Sequence, residues 1–281
     1  MVKIITDTTS CLSKEIAQRY KIPVIPQVIN FGEESYFEGT QIDFETFMER
    51  LRTSKELPKT SAPPPELFLE EFERLVPDGE PILCIHPSIE VSGTVRSALV
   101  AAKEFPDANI RVIDTRIVAS PLGTLVELAA IWAEKGEDVD QITERLESMS
   151  KRCRIYFLVP TLEYLARGGR IGGASALLGG VLQIKPILCL SNGKVDQYER
   201  ERTYKRALAR LVEIVVEQIP HDGSGYLTVM HAGVPQEGLD LAQKLGDLIK
   251  QDNVPVVNMP PAIVTHGGPG LLGVAFFTGS K

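Results

Sequence analysis

The sequence predicts a two-domain α/β protein, with an N-terminal domain built on a parallel sheet and a C-terminal α+β domain that contains a β-hairpin. Two observations predict this fold class. In residues 1–155, short apolar runs followed by polar loops alternate with segments of helical periodicity, which is typical of a parallel sheet covered by helices. In residues 156–281, Asn192-Gly193 joins two strand-like runs, and this dipeptide favours the type I′ turn of a hairpin.

The N-terminal domain is organised around residues 81–105, which we interpret as a buried strand, a polar loop and a helix. The apolar run 82–85 lies between Pro81 and Pro87 and is short enough for a strand. The helix is predicted from apolar residues at helical spacing, namely Val95, Leu99, Ala102 and Phe105. An open parallel sheet binds ligands outside the carboxyl ends of its strands, where this loop would lie.

Three residues of the loop, Ser92, Gly93 and Thr94, are candidates for binding an anion. They fall where the helix begins, so two hydroxyls and several unpaired backbone N–H groups would converge on one point. The alternative is that Ser92 is an ordinary N-cap of the helix. The tripeptide alone leaves both interpretations open.

The start of the chain has the same pattern. A strand at residues 2–5 is followed by the polar loop Asp7-Thr8-Thr9-Ser10. Two such loops at the ends of parallel strands are what an open α/β sheet uses to build a site. The rest of the domain is predicted as a short helix at 12–20, an edge strand at 22–31, helices at 43–52, 122–135 and 139–149, and a strand at 111–113.

Thr60 and Ser61 lie in the proline-rich segment 58–65, directly before a helix that is predicted to start at Pro65. The prolines would hold the two hydroxyl residues with little conformational freedom. That suits either a helix cap or a preorganised ligand contact, and the segment does not decide between them.

The C-terminal domain is predicted to mix a hairpin with helices. The elements are strands at 155–159, 227–230 and 262–265, helices at 162–167, 204–219 and 235–250, and a glycine-rich connector at 168–173 that leads into an apolar segment at 174–182. The final apolar run, 271–277, is a further strand, and the sequence leaves open whether it returns to the N-terminal domain.

Composition excludes several classes of protein. The net charge of −7 and the lack of a basic run argue against a nucleic-acid partner. The chain has no run of about 18 apolar residues and no apolar region of signal-peptide type, so we expect a cytoplasmic protein without stable membrane insertion. The four cysteines are far apart and lack metal-binding spacing, so we expect them to be reduced and structural, with no metal site.

We expect no cofactor. Gly268, Gly270 and Gly273 fit the spacing G-x-G-x-x-G, but Pro269 occupies the turn and too little chain follows for a dinucleotide-binding unit. No G-x-x-x-x-G-K-[ST] phosphate loop is present.

Taken in order, pieces from almost the whole chain resemble the DegV family of bacterial fatty-acid-binding proteins. The matching pieces are Asp7-Thr8-Thr9, Thr60-Ser61-Ala62-Pro63, Ser92-Gly93-Thr94 with Ser97-Ala98, Asp114-Thr115, Leu165 with Gly168-Gly169-Arg170-Ile171, Ile184-Lys185-Pro186-Ile187-Leu188, Asn192-Gly193, and His266 with Gly268-Pro269-Gly270. One departure is His86-Pro87-Ser88, where the family usually has a Ser-Ser pair; His86 would change the head-group network or only fill space.

The resemblance implies a carrier, not an enzyme. A long-chain fatty acid such as palmitate would be the ligand, with its tail in a buried apolar tunnel, and a separate fatty acid kinase subunit would phosphorylate its carboxylate to an acyl phosphate. By the same resemblance, the head group would be bound at Thr60 and Ser92, with Ser61, Gly93, His266 and Arg170 close by. Arg202 would belong to the surface that meets the kinase.

Alternatives exist for these residues. Arg170 could pair with a carboxylate or cap helix carbonyls, and His266 could be a structural turn residue. A rival function is a Ser/His-dependent hydrolase of a small acyl substrate, with Ser92 as nucleophile, His266 as base and Asp7 or Asp114 as the orienting acid. Ser92-Gly93 lacks the G-x-S-x-G turn that exposes such a nucleophile.

Overall fold

The computed structural model describes residues 1–178 and 184–279. The chain divides into two compact units, Met1–Lys151 and Arg152–Lys281. The expected division after residue 155 would fall inside the first strand of the second unit, Cys153–Leu158.

The first unit contains seven strands and six helices within the part of the chain that is described. The strands are β1 (Lys3–Asp7), β2 (Val24–Ile25), β3 (Val28–Phe31), β4 (Glu34–Phe37), β5 (Lys59–Ser61), β6 (Ile82–His86) and β7 (Ile110–Asp114). The helices are α1 (Lys14–Arg19), α2 (Phe44–Thr53), α3 (Pro65–Leu75), α4 (Thr94–Ala102), α5 (Ser120–Glu134) and α6 (Val139–Arg152).

A four-stranded parallel sheet forms the centre of the first unit, in the order β2-β1-β6-β7. Cys84 in β6 lies opposite Ile5 of β1 on one side and opposite Val112 of β7 on the other. Every residue of β6 is buried, as expected for a strand covered on both faces. The predicted parallel α/β architecture of the N-terminal domain is therefore confirmed.

Helices α3 and α4 cover part of this sheet with a buried apolar face. Phe68 and Phe72 of α3 are fully buried and pack in one cluster with Ala98 and Ala101 of α4. Leu99, one of the apolar residues at helical spacing, is 46% exposed. The small residues Ala98 and Ala101 fill the contact instead, because they let the two helices approach closely, and Leu99 is turned to solvent.

The segment at 22–31 is not one edge strand. Pro26-Gln27 separates β2, which is indeed the edge of the parallel sheet, from β3, which is the middle strand of an antiparallel sheet in the order β4-β3-β5. Proline lacks the N–H that a continuous ladder needs, so the chain leaves one sheet and enters the other here. The second sheet places Thr60 and Ser61 in a strand, β5, rather than in an irregular segment.

The second unit contains a six-stranded mixed sheet. Its strands are β8 (Cys153–Leu158), β9 (Lys185–Ser191), β10 (Lys194–Glu201), β11 (Thr228–His231), β12 (Val256–Asn258) and β13 (Leu272–Phe277), in the order β10-β9-β8-β13-β11-β12. Its helices are α7 (Glu163–Arg167), α8 (Tyr204–Gln218), α9 (Pro235–Ile249) and α10 (Pro261–Gly267). The predicted hairpin is confirmed: β9 and β10 pair antiparallel through Asn192 and Gly193, with φ of 48° and 80°.

One expectation for the second unit needs correction, and the pairing of the last strand, which the sequence leaves open, is decided. Residues 262–265, predicted as a strand from their β-branched composition, lie inside α10, which Pro260 and Pro261 initiate. The last strand, β13, pairs with β8 and β11 in the second unit's own sheet, so it does not return to the first. Of the apolar segment at 174–182, the structure describes a short 3₁₀ helix, Gly172–Leu177, and residues 179–183 lie outside the described part.

Among the described residues, no helix is long and apolar enough to cross a membrane, and no group of His, Cys, Asp or Glu side chains could hold a metal ion. The four cysteines are free thiols, as the sequence predicted.

Candidate functional site

The loops that follow β1 and β6 form a polar cluster at the carboxyl edge of the parallel sheet. The two strands are neighbours and parallel, so their carboxyl ends lie side by side. Asp7, the last residue of β1, and Thr9 in the turn after it contribute from one side. Ser92, in the loop after β6, and Thr94, the first residue of α4, contribute from the other. Two loops that the sequence singled out separately therefore meet in one place.

Asp7 is the centre of the cluster and is fully buried. Its Oδ1 accepts hydrogen bonds from the backbone N and Oγ1 of Thr9, at 3.0 and 2.6 Å, and from Nε2 of Gln27 at 3.0 Å. Its Oδ2 lies 2.7 Å from Nδ1 of His86. A buried carboxylate is tolerated only when donors surround it, and four donors do so here.

His86 is held by Asp7 rather than exposed to a ligand. The ring is fully buried and lies edge-on against Phe68, with 5.3 Å between the ring centres. Because the carboxylate only accepts, Nδ1 of His86 carries a proton. Its Nε2 has no hydrogen-bond partner in the described part of the chain. The residue that departs from the family pattern thus supports the buried network around Asp7.

A chain of hydrogen bonds runs from Asp7 to Ser92. Nε2 of Gln27 lies 3.0 Å from Oδ1 of Asp7 and 2.9 Å from Oγ1 of Thr94. Oγ1 of Thr94 lies 2.8 Å from Oγ of Ser92, which is half-buried. The network therefore extends from the interior to a side chain that solvent or a ligand can reach.

Ser92 is not the N-cap of α4. The capping residue is Gly93, and no side chain makes a capping hydrogen bond there. Oγ of Ser92 instead accepts a bond of 3.3 Å from the backbone N of Thr94. Gly93 itself packs against Ala62: a Cβ at position 93 would lie 3.0 Å from the Ala62 Cβ. This contact brings the residue after β5 against the Ser92 loop.

Thr60 and Ser61 point to opposite faces of β5, because successive residues of a strand alternate. Thr60 is half-buried and lies opposite Ile29 of β3. Ser61 is exposed, and its Oγ accepts a hydrogen bond of 3.0 Å from Nδ2 of Asn30. The two hydroxyls, predicted as a pair, therefore face different surroundings.

The second unit brings His266 and Arg170 together. His266 lies in the last turn of α10, and its ring packs on Gly168, where a Cβ would come within 2.2 Å of the ring nitrogen Nδ1. Arg170 donates from Nη1 to the carbonyl of Gly168 at 2.7 Å. Gly168 is the C-cap of α7, so Arg170 makes the carbonyl contact that the sequence left as an alternative.

Burial lowers the pKa of both side chains. Loss of solvent, with a smaller contribution from the positive charge of Arg170, lowers the pKa of His266 to about 4. Burial also lowers the pKa of the Arg170 guanidinium. His266 is therefore a neutral imidazole near pH 7, able to donate or accept a hydrogen bond without adding charge.

Arg202, the predicted partner-binding residue, follows β10 and is exposed.

Asp7 and Asp114, the two candidates for the orienting acid of a hydrolase, are hydrogen-bonded to other residues of the first unit. Asp7 is bonded to Thr9, Gln27 and His86. Asp114 accepts from the backbone N of Ile89 and of Arg116, and pairs with the Arg116 side chain at 3.0 Å. The hydroxyl of Ser92 is bonded to Thr94, whereas a serine nucleophile is bonded to its base.

Gln27 is the member of this site that sequence reasoning missed. Its neighbours, Pro26 and Val28, suggested only a strand, and its buried contact with Thr94 spans 67 positions of sequence.

A groove of about 670 Å³ beside α9 is a further concave surface, but its lining includes Gln243, Asp247, Lys250 and Asp252, which does not suit an alkyl chain.

Comparisons with known proteins agree with the resemblance. The family profile described as "Uncharacterised protein, DegV family" matches residues 1–279. A DegV domain-containing protein of Streptomyces coelicolor is 37% identical over 278 residues, which cover 97% of each chain. A solved structure described as a fatty acid binding DegV family protein from Streptococcus agalactiae has a TM-score of 0.91 and 29% identity, covering 100% of this chain and 99% of that one. The structure of DegV from Bacillus subtilis, described as a fatty acid binding protein, has a TM-score of 0.88 and 30% identity, covering 99% of each chain.

Proposed function

The chain belongs to the DegV family, and on that premise we propose that it binds a long-chain fatty acid and presents the carboxylate to a separate kinase, which forms the acyl phosphate. The observation that carries the proposal is that the hydroxyl of Ser92 is accessible and is not used as a helix cap. Its hydroxyl is half-buried at the carboxyl edge of the parallel sheet, and it does not cap α4. Neutral donors at this edge suit an anionic head group, and the relatives described as fatty acid binding supply its chemical class.

The tail supplies most of the affinity. Each buried methylene contributes about 0.8 kcal/mol, so about fifteen of them contribute on the order of 12 kcal/mol before ordering costs. We expect an apolar tunnel to receive the tail. The protein thereby carries a ligand whose solubility in water is low.

The head group must be paired, because a buried carboxylate without donors is strongly unfavourable. Ser92 and Thr60 are half-buried hydroxyls of the first unit and are the proposed donors. His266 and Arg170 remain proposed contributors through the family resemblance. Hydroxyl donors hold the carboxylate without transferring a proton to it, so an oxygen stays nucleophilic toward a phosphoryl donor.

The reaction itself is assigned to the partner kinase. The chain is proposed to be a binding subunit without a resident cofactor, and the exposed Arg202 is proposed to contact the kinase. A cation at that position would favour an acidic surface on the partner and increase the rate of association.

Palmitate titration of delipidated protein tests the head-group assignment. Thr60→Ala combined with Ser92→Ala should weaken binding roughly a hundredfold, since two hydrogen bonds to a charged group are worth about 3 kcal/mol together. Ser35→Ala is the matched control, because this exposed hydroxyl of β4 is bonded to Asn30 and lies outside the predicted head-group residues. Unchanged affinity in the double variant would exclude Thr60 and Ser92 as head-group ligands.

A further inference from the structure

The orientation of the Gln27 amide is fixed by Asp7. The Gln27 side chain is 3% exposed, and its Nε2 lies within 3.0 Å of both Oδ1 of Asp7 and Oγ1 of Thr94. A carboxylate oxygen only accepts hydrogen bonds, so the NH₂ group and not the carbonyl of Gln27 must face Asp7. One N–H is directed to Asp7, and the second is left for Thr94.

This orientation determines the direction of the next hydrogen bond. Oγ1 of Thr94 accepts from Gln27, and Thr94 is fully buried. Its own proton needs an acceptor, and Oγ of Ser92, at 2.8 Å, is the acceptor that the described residues provide. If Ser92 donated to Thr94 instead, the buried proton of Thr94 would be left without a partner.

Ser92 consequently accepts twice from Thr94, once from the hydroxyl and once from the backbone N at 3.3 Å. Both bonds occupy lone pairs of Oγ, so the proton of Ser92 is directed away from the cluster. A half-buried hydroxyl with its proton directed outward binds an acceptor, and a charged carboxylate is a stronger acceptor than an uncharged lipid head group.

We propose that Gln27, oriented by Asp7, is a positioning residue that directs the Thr94 hydroxyl toward Ser92 and so holds Ser92 as a hydrogen-bond donor to a carboxylate. This inference rests on the proposed function and assigns the head-group selectivity of that same site. The hydrogen-bond chain favours a fatty acid over a neutral lipid of equal length, because the donated bond is strengthened by the charge of the carboxylate.

The test compares palmitate with hexadecanol, which has the same chain length and an uncharged head. Gln27→Met removes both donors while keeping the length of the side chain. Thr94→Val removes the hydroxyl while keeping the shape, and Thr94→Ser restores the hydroxyl. Gln236→Met makes the first change on the exposed surface of α9 and is the matched control. Dissociation constants are measured by titration of delipidated protein, and folding is checked by denaturant unfolding.

Gln27→Met and Thr94→Val should each weaken palmitate binding about fivefold to tenfold and change hexadecanol binding less than about twofold. Thr94→Ser and Gln236→Met should stay close to wild type. In a Ser92→Ala background, Thr94→Val should have no further effect on palmitate, because the hydroxyl that Thr94 directs is absent.

Equal weakening of palmitate and hexadecanol would overturn the inference, since it would show a purely structural role. An undiminished effect of Thr94→Val in the Ser92→Ala background would also overturn it. If Gln27→Met fails to fold, the comparison of Thr94→Val with Thr94→Ser still tests whether the Thr94 hydroxyl affects palmitate binding selectively. Wild-type protein that binds neither lipid would overturn the proposed function as well, whereas wild-type binding of palmitate with unaffected variants would overturn the positioning role alone.

Discussion

At the scale of single residues, the polar side chains of the first unit form one connected network centred on Asp7. His86, Thr9 and Gln27 are each bonded to this carboxylate, and Gln27 extends the network to Thr94 and Ser92. Because the network is buried, its energy depends on complete satisfaction of donors and acceptors. The buried residues Asp7 and Gln27 therefore determine the direction in which the half-buried Ser92 hydroxyl donates its proton.

Asp7→Asn tests the central position of this carboxylate. The amide replaces an acceptor by a donor, so at least one of the surrounding donors loses its partner, and the free energy of unfolding should fall by about 3 kcal/mol. Urea denaturation measures the change. Asp140→Asn, an exposed partner of Arg111, is the control and should change the stability by less than about 0.5 kcal/mol. Equal effects of the two substitutions would contradict the central role of Asp7.

His266 gives the protein a pH-dependent stability. Its folded-state pKa is about 4, below an unfolded value of about 6.5, so the unfolded chain binds more protons between these limits. Stability should therefore be complete above about pH 6.5 and decrease toward pH 4, by on the order of 2–3 kcal/mol from this residue.

The measurement is a set of denaturant unfolding curves from pH 7.5 to pH 4 for wild type and His266→Gln. The difference between the two isolates the histidine from the other titrating groups. The variant should lose less stability on acidification than wild type. Parallel curves would mean that His266 titrates alike in the folded and unfolded states.

At the scale of elements, close backbone contacts position the loops that carry the network. Helix α5 packs on the 3₁₀ turn Thr8–Ser10, which directly follows Asp7. Gly123 makes the approach possible, since a Cβ there would lie 2.4 Å from the carbonyl oxygen of Ser10. The turn can therefore hold Thr9 at hydrogen-bonding distance from Asp7.

Gly123→Ala should destabilise the first unit by about 2 kcal/mol or more, because backbone atoms must move to admit the methyl group. Thr124→Ala, the neighbouring position on α5, is the control and should change stability little. Thermal unfolding of both variants gives the comparison. A fully stable Gly123→Ala protein would show that α5 can shift away from the turn without loss.

Most elements could be predicted because their patterns are local. The buried run of β6, the periodic faces of α3 and α6, and the Asn-Gly turn each lie within a few positions of sequence. The two errors have different causes. The β-branched residues at 262–265 favour a strand, but the local signal of Pro260 and Pro261 before them starts a helix. Leu99 fits the helical period, but the buried apolar face is formed by Val95, Ala98 and Ala101.

The candidate site was predictable in part. Hydroxyl loops at strand ends point to Ser92, the proline-rich segment points to Thr60, and the family resemblance adds His266, Arg170 and Arg202 as predictions. Gln27 could not be found in this way, because a single amide between two strands has no periodicity. The split of the segment at 22–31 between two sheets, which places Gln27 beside Asp7, depends on pairing with β1 and β5.

At the scale of the whole molecule, the proposed division of labour separates lipid binding from chemistry. Arg202→Glu should leave palmitate affinity unchanged and slow acyl phosphate formation by the kinase about tenfold, since reversed charge repels an acidic docking surface. Arg74→Glu, an exposed position in the other unit, is the control. An unaffected phosphorylation rate for Arg202→Glu, measured with saturating lipid, would remove this residue from the interface.

Extraction of the purified protein, under denaturing conditions and with mass spectrometric identification of the released small molecules, tests the carrier function most directly. A free, chemically unmodified long-chain fatty acid is expected in stoichiometric amount, and delipidated protein should rebind it. Protein that releases no lipid and shows no affinity for palmitate after delipidation would contradict the proposed function.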